Sequence, residues 1–283
     1  MGARAAPETD PNILRSSYLQ ALVGASLVLL WMPACVSSAA PGEAKPPRPE
    51  VVQTTFESVD ATVAGEWDFP LQTPAPLVLI VPASGRLDRN GWAPDMGEPL
   101  GEGIYAQLAA RLVANGFAVF RYDKPGAGRS SPGQFATERS SALEAYTHAV
   151  QHARVDPERV FLLGHGVGTD TIAGIYPRFA ATRPPAGVIL LDNAVGESDS
   201  LRIAAPTLVI NAGKDPDEHY QFGEFLVEAR RNAEGRKLPT DFLLLEDAQP
   251  GVLGIRKDAD QTNVGIDPRA TDAIVRWLTA RRG

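Results

Sequence analysis

From Glu50 onward, short continuous apolar runs alternate with longer stretches whose apolar residues recur at helical spacing. No other feature of the chain restricts its fold as much. A run such as Pro76–Pro82 (PLVLIVP) has no polar side to turn to water, so it reads as a strand covered on both faces. Further strands are expected at 118–122, 159–163, 188–191, 207–211 and 242–245. Two leading strands, 51–56 and 62–69, flank a hairpin turn expected across Asp60–Ala64. Ile104, Leu108 and Leu112 mark a helix that ends near Gly116, and other helices are centred on Tyr146, Ile172, Phe225 and Ile274. Strands alternating with helices predict an α/β domain over 50–283: a mostly parallel sheet of about eight strands with helices on both faces. Neither an internal repeat nor an interior linker divides it.

Gly164-His165-Gly166-Val167-Gly168 lies between the apolar run Val160–Leu163 and the helix around Ile172. A strand that ends in Gly-x-Nuc-x-Gly before a helix resembles the nucleophile elbow of α/β-hydrolases, whose glycines let strand and helix approach and whose central residue sits in a strained turn. The motif comes too late in the sheet for a dinucleotide-binding loop. Two more segments carry the resemblance. The loop with Ser84, Gly85, Asp88, Arg89 and Gly91 is similar to the GSG-x-x-DR-x-G loop that supplies an oxyanion-hole amide in a group of bacterial carboxylesterases. Arg121-Tyr122-Asp123-Lys124-Pro125-Gly126, continuing to Gly128 and Ser130, is similar to their RYDKRG-x-G-x-S turn. The resemblance implies an α/β-hydrolase fold, and ester hydrolysis as the ancestral activity. Such esterases carry a helical lid between the strands here ending near Asp192 and starting near Thr207; the crossing Asn193–Pro206 is too short for one.

The resemblance also places the chemistry, and here the chain departs from it. Gly166 stands at the nucleophile position, which needs Ser, Cys or Asp. Asp215, after the run Thr207–Asn211, matches the acid and would equally cap a helix starting near Pro216. The base should follow Asp247, but Gln249 or Pro250 stands there, and no histidine occurs after His219. A triad without nucleophile and base keeps only the group that orients the base. An oxyanion hole is backbone and outlives such losses, so Ser84, Gly85 and Val167, with His165 beside them, remain candidates for holding a carbonyl or carboxylate oxygen. His148 and His152, four apart on a helix, read as a surface pair without a third metal ligand.

A single cysteine, Cys35, allows no internal disulfide and no thiolate metal cluster. It follows an uncharged stretch with its densest part at Ala21–Met32, the length of a signal-peptide core, and precedes the Ser/Ala/Pro-rich segment 36–49, which reads as a tether. Met32-Pro33-Ala34-Cys35 resembles a bacterial lipoprotein signal with acylation at Cys35. Cleavage near Ala39-Ala40 and an uncleaved anchor are the alternatives, and all three place the globular part outside the cytoplasm. A net charge of −7 argues against nucleic acid or anionic membrane as a partner.

These features predict an exported α/β-hydrolase-fold protein, a catalytically degenerate esterase that binds a small carbonyl or carboxylate ligand or an envelope protein, with no cofactor and no metal. One alternative is a hydrolase working through Ser84 or Thr169, with His165 or His219 as base. The other is a structural envelope lipoprotein.

Overall fold

The computed structural model describes residues 49–92, 103–215, 220–233, 235, 238–258 and 261–281. The chain divides into two units after Lys45, and all of these residues belong to the second. The readings placed on Cys35, on the signal and on nearly all of the tether therefore lie outside the described residues, as does His219.

Eight strands form one sheet: β1 (Glu50–Ser58), β2 (Ala61–Phe69), β3 (Ala75–Val81), β4 (Ala118–Tyr122), β5 (Val155–His165), β6 (Gly187–Leu191), β7 (Thr207–Ala212) and β8 (Thr240–Leu245). Their order is β1-β2-β4-β3-β5-β6-β7-β8, with β2 antiparallel to both neighbours and all other pairs parallel. Each expected strand is present. The apolar runs are continuous because β3, β4, β6 and β7 are buried along their whole length. The hairpin turn is tighter than expected, only Val59 and Asp60, with Val59 in the left-handed region at φ 56°.

Helices α1 (Ile104–Ala114) and α6 (Pro268–Thr279) cover one face, where Leu108, Leu112, Ile274 and Leu278 pack on Val78, Ile80 and Leu163. On the other face α2 (Glu138–Val150), α3 (Val167–Thr182) and α5 (Tyr220–Arg231) bring Tyr146, Ile172 and Leu226 onto Leu79, Leu162 and Val209. Thr137 and Ser140 form a reciprocal capping box at the start of α2, and Asp267 caps α6 before Pro268. Between β6 and β7 the chain makes only a short helix, α4 (Glu197–Ser200), and turns. The buried Arg230 of α5 pins that crossing, donating to the carbonyls of Ser200, Ile203 and Ala205 and to the hydroxyls of Thr207 and Thr240. A second antiparallel pair, β9 (Leu253–Asp258) with β10 (Gln261–Ile266), has no counterpart among the expected strands, because charged and polar residues interrupt it. Among the described residues no helix is long and apolar enough to cross a membrane.

His148 and His152 are not a surface pair. Both are partly buried in an aromatic cluster between the β1–β2 hairpin and α2: His148 stacks on Phe56 at 5.6 Å, and His152 lies 4.5 Å from Trp67 and 5.0 Å from Phe69, centroid to centroid. Burial holds both imidazoles below the ordinary histidine range, His148 with help from His152 and His152 from Arg154. A base whose folded pKa is depressed binds fewer protons folded than unfolded, so stability falls as pH drops through the unfolded value near 6.5. Urea melts should therefore give a lower unfolding free energy at about pH 5 than at about pH 7. The difference should narrow in His148→Phe, which keeps the stack without the titration; an equal difference in the variant would count against this account.

Candidate active site

Gly166 joins β5 to α3 at φ 52°, ψ −120°, a conformation that costs a residue with a side chain on the order of 1–3 kcal/mol and glycine little. The three glycines of the motif do different work. A Cβ on Gly164 would stand 2.8 Å from the Gly168 carbonyl, and one on Gly168 would stand 2.3 Å from the Val81 carbonyl, so both must be bare for α3 to lie against β5 and β3. A Cβ on Gly166 would meet only Ala83, at an ordinary 3.5 Å. The elbow thus keeps its shape and the space for a side chain, but has no nucleophile. Val167, 38% exposed, supplies the first amide of α3, one of the helix-start N–H groups that lack an intrahelical partner.

The loop facing the elbow is bonded to the turn after β4, which explains why the second and third motifs occur together. Arg89 grips Asp123 in a buried bidentate pair, Nε to Oδ1 at 2.8 Å and a terminal nitrogen to Oδ2 at 2.6 Å. Asp123 also accepts the amides of Arg89 and Arg129, both at 2.7 Å. Lys124 donates to the carbonyls of Ala83 and Gly85, on either side of Ser84, and pairs with Glu138. Ser130 links the Asp123 carbonyl to the Ala64 amide, 2.8 and 2.9 Å. Gly128, at φ 50°, must be glycine, since a Cβ would stand 2.4 Å from the Asp123 carboxylate. This scaffold leaves Ser84 and Gly85 exposed beside the elbow.

Asp215 is buried at the end of β7, and the amide of neighbouring Lys214 donates to the Ala248 carbonyl at 3.1 Å. This bond joins the turn that carries Asp215 to the turn that carries Gln249 and Pro250, both exposed. α5 is described from Tyr220, so the helix start that Asp215 would cap lies outside the described residues. The backbone of the next residue does what no side chain does. Gly251, at φ 78°, accepts from His165 Nε2 at 2.9 Å and donates its amide to Asp192 Oδ2 at 2.9 Å. Because a carbonyl can only accept, His165 carries its proton on Nε2, and Nδ1 accepts from the Tyr105 hydroxyl at 3.0 Å. The Tyr105 oxygen in turn accepts the Ala83 amide at 2.9 Å. Burial holds the imidazole below the ordinary histidine range, against the opposing pull of the Asp192 charge and the Gly251 carbonyl. Burial likewise pushes the Tyr105 hydroxyl up, so it stays protonated.

Asp192 is the site residue that sequence reading missed. Its signal is an Asp closing a buried strand at the carboxyl edge of a parallel sheet, where ligands bind in such folds, and it sits in the left-handed region at φ 53°. Among the described residues the alternative nucleophiles have no base, and His219 lies outside them. Thr169 donates to the Gly166 carbonyl at 2.6 Å and accepts the Ala194 amide at 3.0 Å. Ser84 makes no hydrogen bond to a described imidazole, and both nitrogens of His165 are engaged. Among the described residues no cluster of His, Cys, Asp and Glu could hold a metal ion.

The two loop glycines give opposite expectations. Gly128→Ala should lose about 3 kcal/mol or more, since it adds backbone strain and disrupts a buried ion pair. Gly85→Ala, also at positive φ but with nothing within 4 Å of its Cβ, should lose about 1–2 kcal/mol. Chemical denaturation of both variants checks the order.

A family model described as serine aminopeptidase, S33, matches residues 101–210, which include the elbow. No curated protein matches the sequence. Among solved structures, the chain is similar to a dienelactone hydrolase-like promiscuous phosphotriesterase, P91, from metagenomic libraries: 17% identity, TM-score 0.59, covering 83% of this chain and 99% of that one. It is also similar to a sugar hydrolase, YeeB, from Lactococcus lactis (19% identity, TM-score 0.54, 81% and 98% covered). A third is the dienelactone hydrolase from Anabaena variabilis (13% identity, TM-score 0.53, 82% and 96% covered). At such identities the likeness is one of fold. With the strand order and the elbow geometry, it shows that the chain has the α/β-hydrolase fold.

Proposed function

We propose that this α/β-hydrolase-fold domain is a degenerate esterase, exported and anchored through Cys35, that uses the former active site to bind a small carbonyl or carboxylate ligand. The observation that carries the reading is the hydrogen at the elbow: Gly166 has the backbone of a nucleophile position and no atom that can attack. Support comes from the exposed Gln249 and Pro250 where a base belongs, and from the engagement of both His165 nitrogens. The similar structures are named as hydrolases of several kinds, and a site without nucleophile and base keeps only what they use for holding substrate. The Val167 amide and the loop around Ser84 and Gly85 are the groups that would hold the ligand oxygen.

Short-chain aryl esters test the catalytic half of the reading. Loss of an essential triad member costs on the order of a million-fold in turnover, so the protein should hydrolyse them no faster than that residual. A robust activity abolished by Ser84→Ala would overturn the reading in favour of a serine nucleophile. Gly166→Ser alone should restore little, since among the described residues no imidazole is free to act as its base. Gly166→Ser with Gln249→His or Pro250→His should restore more, and Asp215→Asn should remove the gain. A fully active Gly166→Ser single variant would show that a base is already present.

A further inference from the structure

The chain of bonds from the Ala83 amide through Tyr105 and His165 to Gly251 satisfies each buried group only while the imidazole is neutral. Among the described residues three segments face the ring, and a fourth stands behind one of them. Tyr105 comes from α1, Asp192 from the end of β6, the Gly251 carbonyl from the turn before β9, and the Ala83 amide lies behind Tyr105 on the loop after β3. Among the described residues, the other charge bonded next to Ala83 is Lys124, which donates to the Ala83 carbonyl. A proton added at Nδ1 leaves the Nε2–H to Gly251 contact intact and converts Nδ1 from acceptor to donor. Two hydrogens then point at each other, and the Tyr105 hydroxyl, on a side chain only 1% exposed, must turn away from the ring. Its oxygen would accept from the imidazolium, a charge-assisted bond stronger than the neutral one from Ala83.

We propose that His165 is a proton switch for the Ala83–Gly85 loop: uptake of a solvent proton on Nδ1 draws the Tyr105 oxygen to the imidazolium and releases the Ala83 amide. Nothing is oxidised and no covalent bond other than N–H forms. Lys124, still bonded to the Ala83 and Gly85 carbonyls, keeps the released loop near the elbow, so the change is a local rearrangement rather than unfolding. If the loop binds a carboxylate as proposed above, its affinity falls on acidification. That consequence rests on the binding reading; the switch itself does not.

Nuclear magnetic resonance of the full chain tests the switch without a ligand. The His165 Cε1–H and the Ala83 amide should titrate with one midpoint, below that of an exposed histidine. Tyr105→Phe removes a bond that favours the neutral ring and should raise the midpoint by about one pH unit, whereas Asp192→Asn removes a charge that favours the imidazolium and should lower it. An Ala83 amide that stays flat through the His165 titration overturns the proposal. So does a His165 that remains neutral until the protein unfolds, or a midpoint indifferent to Asp192→Asn. Should Tyr105→Phe not fold, the shared midpoint in the unsubstituted protein and its shift in Asp192→Asn still decide. Adding butyrate separates the two readings: no binding at any pH rejects the ligand alone, while binding lost in acid with the Ala83 amide unmoved rejects the switch.

Discussion

Arg89 and Asp123 meet in a pair that is almost wholly shielded from water, and the arrangement at the carboxyl edge of the sheet hangs on it. Taking both charges out of water is expensive, and the pair is tolerable because nearly every lone pair and proton is used. Asp123 accepts four N–H groups, and Arg89 reaches the Gly65 carbonyl and Gln53 as well as the carboxylate. The pair joins the loop after β3 to the turn after β4. Lys124, one residue on, then has only to reach across to the carbonyls beside Ser84. Removing one partner would leave a buried charge unmatched, so the two loops can change only together. This gives a physical reason for the two motifs to occur together in the chain.

The elbow persists for a different reason. Its outer glycines are required by contact, since α3 crosses β5 and β3 too closely for a Cβ, and that packing is part of the core rather than of catalysis. Its central glycine relieves the strain that a serine would bear there. Across from it, the turn that would present a histidine instead presents the backbone of Gly251, which bonds His165 and Asp192 at once. Val252, buried and at φ 52°, follows in the left-handed region, a strained conformation for a β-branched residue, held in part by the Asp267 amide on its carbonyl at 2.9 Å. The polar groups of His165, Asp192 and Gly251 are thus engaged in bonds to one another.

Much of this was legible in the chain itself. Short continuous apolar runs bounded by turn residues read as doubly covered strands, and the spacing of Ile104, Leu108 and Leu112 buries one face as a helix, so the alternation that predicts a parallel sheet is legible in solvation and periodicity. The absence of a nucleophile at Gly166 and of an imidazole at Gln249 or Pro250 is equally a property of the sequence, because composition at a motif position does not depend on folding. What the tertiary structure decided is which polar groups meet. Asp192 carries no motif, and only the closeness of β6 to the Gly251 turn turns it into a partner of the elbow. His148 and His152 look solvent-facing by residue type, but His148 on α2 and His152 just past its end lie against Phe56, Trp67 and Phe69, and desolvation holds both imidazoles below the ordinary histidine range. The β9–β10 hairpin escaped notice because pairing between strands is a long-range hydrogen-bonding decision that local apolar pattern does not record. Local sequence sets what each segment must bury; only the folded chain settles which donor finds which acceptor.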